Sequence, residues 1–120
     1  MIFDAARQPA ARRIAYFSSL CPLANGTWLA GFQVGPSKHA PTSTAGLCRS
    51  RDGGKTWHEL PVRLATTYQA TPGSLAGAEM IEASPGRIVL FTTWFDRSEP
   101  ARPLFDPVTE GILRSRQLYC

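Results

Sequence analysis

A chain of 120 residues has room for one ordinary domain, and 43% hydrophobic and 18% charged residues at a mean hydropathy of −0.14 give it a globular composition. Thirteen Lys and Arg against nine Asp and Glu leave a net charge of +4, but eleven of those cations are Arg scattered along the chain. Without a basic run, nucleic acid is not the expected partner, while a mild positive balance suits an anionic ligand. No apolar stretch approaches the ~18 residues of a membrane span. Met1 to Pro9 holds no continuous apolar run of the secretory kind, so the sequence as given reads as cytoplasmic and not membrane-bound. Cys21, Cys48 and Cys120 form an odd set without CxxC spacing, and His39 and His58 are the only imidazoles. That pattern excludes a disulfide framework and a metal site and implies no cofactor; buried free thiols are the expectation for Cys21 and Cys48. Ten Gly and ten Pro interrupt every stretch long enough for a good helix.

In chain order, residues 1–12 are Ala- and Arg-rich and are expected to be a frayed lead-in. Ile14 to Cys21 reads as a strand, closed by Asn25-Gly26, a pair expected to take positive φ at both positions of a two-residue turn. Thr27 to Val34 returns. A Pro-bounded loop from Gly35 to Thr44 carries Lys38 and His39, Ala45 to Arg49 is a third strand, and His58 to Leu64 a fourth. The expected unit is an antiparallel four-stranded meander over 13–66.

Residues 67–120 repeat it. At an offset of 60, Asn25-Gly26 falls on Pro85-Gly86, Leu20-Cys21 on Met80-Ile81, and Trp28-Leu29-Ala30 on Ile88-Val89-Leu90. At an offset of 65, Gly46-Leu47-Cys48-Arg49-Ser50-Arg51 resembles Gly111-Ile112-Leu113-Arg114-Ser115-Arg116, with the extra residues assigned to a loop, where length is cheap. Strand-turn-strand units at this spacing are what blades of a β-propeller look like. A propeller needs about four blades to remove its edges, so the expected fold is all-β and incomplete in this chain. The rest of the ring would come from a longer chain, or from an oligomer if the chain is complete.

One motif is specific. Ser50-Arg51-Asp52-Gly53-Gly54-Lys55-Thr56-Trp57 sets Asp52 to open a turn, its carboxylate accepting N–H bonds from the Gly-Gly-Lys stretch. Gly53 and Gly54 supply positive φ, and the Trp57 indole is free to fold back between neighbouring sheets. Gly54-Lys55-Thr56 is not a phosphate loop, because the required first glycine is Arg49 and no helix follows. The motif resembles the Asp-box, S-x-D-x-G-x-T-W, of the sialidase (bacterial neuraminidase repeat) superfamily. The resemblance covers residues 16–57, and 74–116 as a second blade in which Gln117 stands where the Asp-box aspartate belongs. It implies a six-bladed type of propeller in which Ser50, Asp52, Gly54, Thr56 and Trp57 are scaffold on turns away from the active face.

The resemblance further implies an exo-α-sialidase-like glycosidase, which cleaves terminal sialic acid with an arginine cluster for the carboxylate, an Asp acid/base and a Tyr nucleophile paired with Glu. Tyr16 falls at the place of the family's first arginine, with Arg13-Ile14-Ala15 imitating that motif three residues early. The family's acid/base loop corresponds to Gln33 to Thr44, which contains no Asp, Glu or Arg and offers Lys38 and His39 instead. The second loop is richer, with Asp96 and Asp106 as catalytic candidates and Arg97 and Arg102 beside aromatics to bind a sugar's hydroxyls and charge. Glu79 is a further candidate for substrate, and Glu82 lies on the alternate face of the same strand. The alternative reading is a non-catalytic propeller module that binds glycans or protein, its Asp-box kept for the fold alone.

Overall fold

A computed structural model describes residues 1–99 and 101–113, and the backbone of 115–119. Strands β1 (Ile14–Pro22), β2 (Trp28–Gly35), β3 (Thr44–Ser50) and β4 (His58–Glu59) form one antiparallel sheet in that order. Strands β5 (Thr67–Tyr68), β6 (Thr71–Ser84), β7 (Arg87–Asp96) and β8 (Ser115–Tyr119) form a second. The fourth strand is shorter than the sequence suggests. After Leu60 donates its N–H to Leu47 O, Pro61 fixes its own φ near −65° and the chain turns off towards the second sheet.

The first hairpin also differs in detail. Only Gly26 takes positive φ (82°), while Asn25 caps the turn by accepting the Thr27 N–H at 2.9 Å. With Gly26 N–H donating to Leu23 O, the loop is a turn over 23–26 closed by a left-handed glycine rather than a two-residue connection.

Alternation along each strand decides what is buried. On β2, Ala30, Phe32 and Val34 face away from the second sheet, and Leu29 packs towards it. On β7, Leu90 and Trp94 face the first sheet, meeting Cys21 and Ala45 together with Leu75, Ala78 and Met80 of β6. The Trp94 indole satisfies its N–H on Thr66 O at 2.9 Å. Cys21 and Cys48 are buried free thiols, as composition suggested. Burial pushes the Cys48 thiol up to about 11, so it stays protonated and apolar.

The lead-in is not frayed. Residues 5–7 and 10–12 form two short 3-10 turns, the first capped by Asp4 accepting the Ala6 N–H. Phe3 lies on Phe32 with ring centroids 4.8 Å apart, and the Arg12 guanidinium sits 5.7 Å above the Phe3 ring while pairing with Glu59. A segment without hydrophobic periodicity is thus pinned by one aromatic and one arginine over the outer face of the first sheet.

The repeat holds in the ladder for two strands and shifts in the third. Leu20 opposes Ala30 as Met80 opposes Leu90, an offset of 60. Both inner strands slip their register at corresponding places, between Tyr16 and Ser19 and between Ala76 and Glu79, and β6 slips a second time between Glu82 and Ser84. Leu47 opposes Gly31, however, and Tyr119 opposes Phe91, so the third strands correspond at an offset of 72 rather than 65. Gln117 pairs with Thr93 in mid-strand, where the first sheet has Ala45, and does not correspond to Asp52 in the turn after β3. The Gly111–Arg116 likeness was compositional, and the loop before β8 takes up the difference.

The two sheets touch most closely at Gly31. A Cβ there would lie 2.2 Å from Ala78 O and 2.9 Å from Ala78 Cβ, and neither the carbonyl nor the methyl is a flexible group that can swing aside. Nearby, the Ser19 hydroxyl donates to the same Ala78 O at 2.6 Å, joining the inner strands. Gly31→Ala is therefore expected to destabilise the chain by about 1–3 kcal/mol through overpacking, read as a lower denaturant midpoint at unchanged slope; a neutral result would mean the sheets can separate without cost.

Candidate functional site

The pair of sheets has two ends. At one lie the hairpins at 23–27 and 85–86 and the turn from Ser50 to Trp57; at the other lie the starts of β1 and β6, the loop 36–43 and the described residues 97–99 and 101–113.

At the first end the carboxylates and hydroxyls of the turns are bonded within the chain. Asp52 accepts the Thr56 N–H at 2.9 Å, the Thr56 hydroxyl at 2.5 Å and the Ser50 hydroxyl at 2.7 Å. Ser50 in turn accepts the Gly54 N–H at 2.9 Å, and the Trp57 indole donates to Gly54 O at 2.9 Å. The carboxylate thus holds Thr56 rather than the glycines, and the Thr56 hydroxyl and N–H keep Asp52 well below the usual carboxylate range. Gly53 and Gly54 sit at φ 69° and 86°. Trp57 packs on the Ala30–Phe32–Val34 face of its own sheet. Glu82 is a staple of the same kind. It accepts the Gly86 N–H of its own hairpin at 2.8 Å and the Ala24 N–H of the other at 2.7 Å, and both bonds hold its carboxyl low.

The opposite end gathers aromatic and cationic side chains. The His39 ring lies 5.9 Å from Phe17 and 5.5 Å, edge-on, from Phe105. Lys38 Nζ stands 5.7 Å above the Phe17 ring. His39 Nδ1 is buried and accepts no hydrogen bond from the described residues. Burial, then the charges of Lys38 and Arg97, lower the His39 pKa below its ordinary value. Phe17 and His39 both adopt left-handed backbone, φ 48° and 59°, a conformation that costs a non-glycine residue roughly 1–2 kcal/mol.

Of the residues singled out by sequence, Lys38 and His39 come together here. Arg97 does not present a free guanidinium. It is 9% exposed, donates from Nε to Ser74 Oγ at 2.8 Å and from Nη2 to His39 O at 2.8 Å, and so ties the second loop to the first. It is a strut beneath the site rather than a surface ligand group. Asp96 accepts the Ser98 N–H and hydroxyl, and Asp106 accepts the Val108 and Thr109 N–H groups at 2.9 and 2.7 Å. Those bonds hold the Asp106 carboxyl low, the opposite of what a general acid needs. Arg102 pairs with Glu99, and Glu79 is an exposed carboxylate folded back over Gly77. Phe17 is the member that sequence reasoning passed over, and the repeat itself held the signal, because at an offset of 60 it falls on Gly77. A cavity of about 570 Å³ between Arg12, Glu59 and the 60–64 segment shares no lining residue with the aromatic cluster, which carries the more distinctive chemistry.

No protein-family model matches the chain, and no curated protein matches it. Among solved structures, it is similar to the intramolecular trans-sialidase of Ruminococcus gnavus in complex with oseltamivir carboxylate. That match has a TM-score of 0.59 and 19% identity over 75% of this chain. It is similar also to the leech intramolecular trans-sialidase complexed with 2,7-anhydro-Neu5Ac, with a TM-score of 0.58 and 20% identity over 75% of the chain. The chain spans 23% and 16% of the lengths of those two proteins. The two sheets are therefore of the all-β, antiparallel class found in those enzymes. At this identity the likeness is one of fold.

Three measurements check this anatomy. Replacing Asp52 with Asn leaves a donor facing the Ser50 and Thr56 hydroxyls and is expected to lower the melting temperature. Arg97→Met strands Ser74 and His39 O and is expected to cost about 2 kcal/mol, the worth of hydrogen bonds to a charged group. By NMR, His39 is expected to titrate below about 6.5, and its midpoint to rise in Arg97→Met because a neighbouring cation is gone. The depressed His39 value stabilises the fold above the unfolded histidine pKa, and that contribution is lost as pH falls through the folded one.

Proposed function

We propose that this chain forms two blades of a sialidase-like Asp-box propeller that recognises glycans at its loop end, with an acidic sugar as ligand. The observation that carries the reading is the cluster of Lys38, Phe17, His39 and Phe105, on the end opposite the Asp-box. An ammonium beside aromatic rings suits a carboxylate on a sugar ring, whose C–H face stacks on the aromatics. The fold likeness supports the same reading, since one neighbour holds oseltamivir carboxylate and the other 2,7-anhydro-Neu5Ac. Leu20 and Ile81, 49% and 52% exposed on the two outer faces, stand where further blades would pack.

Hydrolysis of the exo-α-sialidase kind is the second reading, and it rests on the fold. Asp96 and Asp106 cap their own loop, and Gln33 to Thr44 supplies no carboxylate, so a proton donor would have to come from other blades. Binding of 3′-sialyllactose is expected, with weaker or no binding of lactose, and with loss in Lys38→Glu. Parallel assay with an aryl sialoside separates the readings. Turnover selects the glycosidase, binding without turnover selects the recognition module, and neither sugar binding nor turnover removes both.

A further inference from the structure

The two inner strands carry the same irregularity. Each bulges after the residue at corresponding places, Tyr16 in β1 and Ala76 in β6, and the next residue takes left-handed backbone. In β6 that residue is Gly77 at φ 74°, the residue such a bulge ordinarily takes because it has no Cβ to clash. In β1 it is Phe17 at φ 48°, a bulky side chain in a conformation that glycine adopts freely. One sheet thus gives a reference for the other, and at this position the first sheet departs from it.

Core packing does not account for the departure. Phe17 is 46% exposed, and its ring lies 6.2 Å from that of Tyr16, 5.9 Å from that of His39 and 5.7 Å from the Lys38 ammonium. A bulge re-aims the side chain it carries, and strained backbone concentrates where a side chain has to be held for use. His39, likewise left-handed, closes one side of Phe17 and is itself backed by Phe105.

We infer that Phe17 is a strained stacking platform that takes the apolar face of an acidic sugar while Lys38 meets its carboxylate; the inference rests on the glycan reading and adds to it the residue that reads the ring. The strain is what presents the aromatic face at the mouth of the site, and relieving it removes the platform without harming the sheet.

The test compares the parent with Phe17→Gly, Phe17→Ala and Phe17→Leu for melting temperature and for binding of 3′-sialyllactose, with lactose as the neutral control. Phe17→Gly is expected to melt no lower than the parent and about 4 °C above Phe17→Ala, which keeps the left-handed strain. It is expected to bind the sugar about tenfold more weakly, as is Phe17→Leu, which keeps an apolar side chain but no ring. Binding by Phe17→Gly within twofold of the parent overturns the platform. So does melting of Phe17→Gly below Phe17→Ala, which would mean that the backbone there holds no strain for glycine to relieve. A parent that binds no 3′-sialyllactose removes the glycan reading and the platform's ligand together. The melting order among the variants still reports on the strain separately.

Discussion

The close approach of two backbones at Gly31 and Ala78 is the constraint on which the arrangement depends. A four-stranded sheet is apolar on both faces here, with Ala30, Phe32 and Val34 on one side of β2 and Leu29 beside Gly31 on the other. Burying the inner face requires the second sheet to come near enough for Met80 and Leu90 to fill the space beside Cys21 and Ala45. Only a residue without a Cβ lets β6 reach that distance. Once the inner strands are that close, the Ser19 hydroxyl can reach the Ala78 carbonyl, and the strand starts and loops of both sheets emerge side by side. The site is thus a consequence of sheet packing before it is a property of any loop.

The two ends use their carboxylates differently from what a list of acidic residues suggests. Asp52 and Glu82 are spent on backbone N–H groups and hydroxyls at the hairpin end, and each is held low by bonds that favour its charged form. At the loop end Asp96 and Asp106 likewise fold their own segment. The side chains that gather around Phe17 are cationic and aromatic. Arg97 contributes from below, since an arginine that bridges Ser74 and the His39 carbonyl fixes where the histidine stands without touching a ligand itself.

Much of the fold was legible because ladder geometry leaves a period in the chain. The hairpins of the two sheets share length, turn glycine and bulge, so the offset of 60 survives in residue types such as Leu20 and Met80. The turn from Ser50 to Trp57 was legible because its hydrogen bonds are local, each side chain serving a group two to four residues away. The third strand of the second sheet was not, because its register is set by pairing with β7 across a long loop, and six similar residues at the wrong offset outweighed a pairing that leaves no local mark. The lead-in was misread for a related reason. Phe3 and Arg12 find their partners, Phe32 and Glu59, far along the chain. Half of the site was visible as Lys38 and His39, whereas Arg97 looked like a ligand group because burial is not written in a loop's composition.

Internal repetition also gives a means of separating fold from use. Where two sheets share backbone geometry, the fold makes the same demand of both, and a residue that meets the demand in one copy need not explain itself. Gly77 meets the demand of the bulge. Phe17 meets it at a cost that its partial burial does little to recover, and its neighbours are the histidine and lysine of the adjoining loop. The same comparison leaves Ser19 and Glu79, equivalent in register, with different tasks: one bridges the inner strands, the other is an exposed carboxylate beside its own bulge. Differences of this kind, at positions where the backbone is the same, separate what the first sheet's residues do for the fold from what the fold does not ask of them.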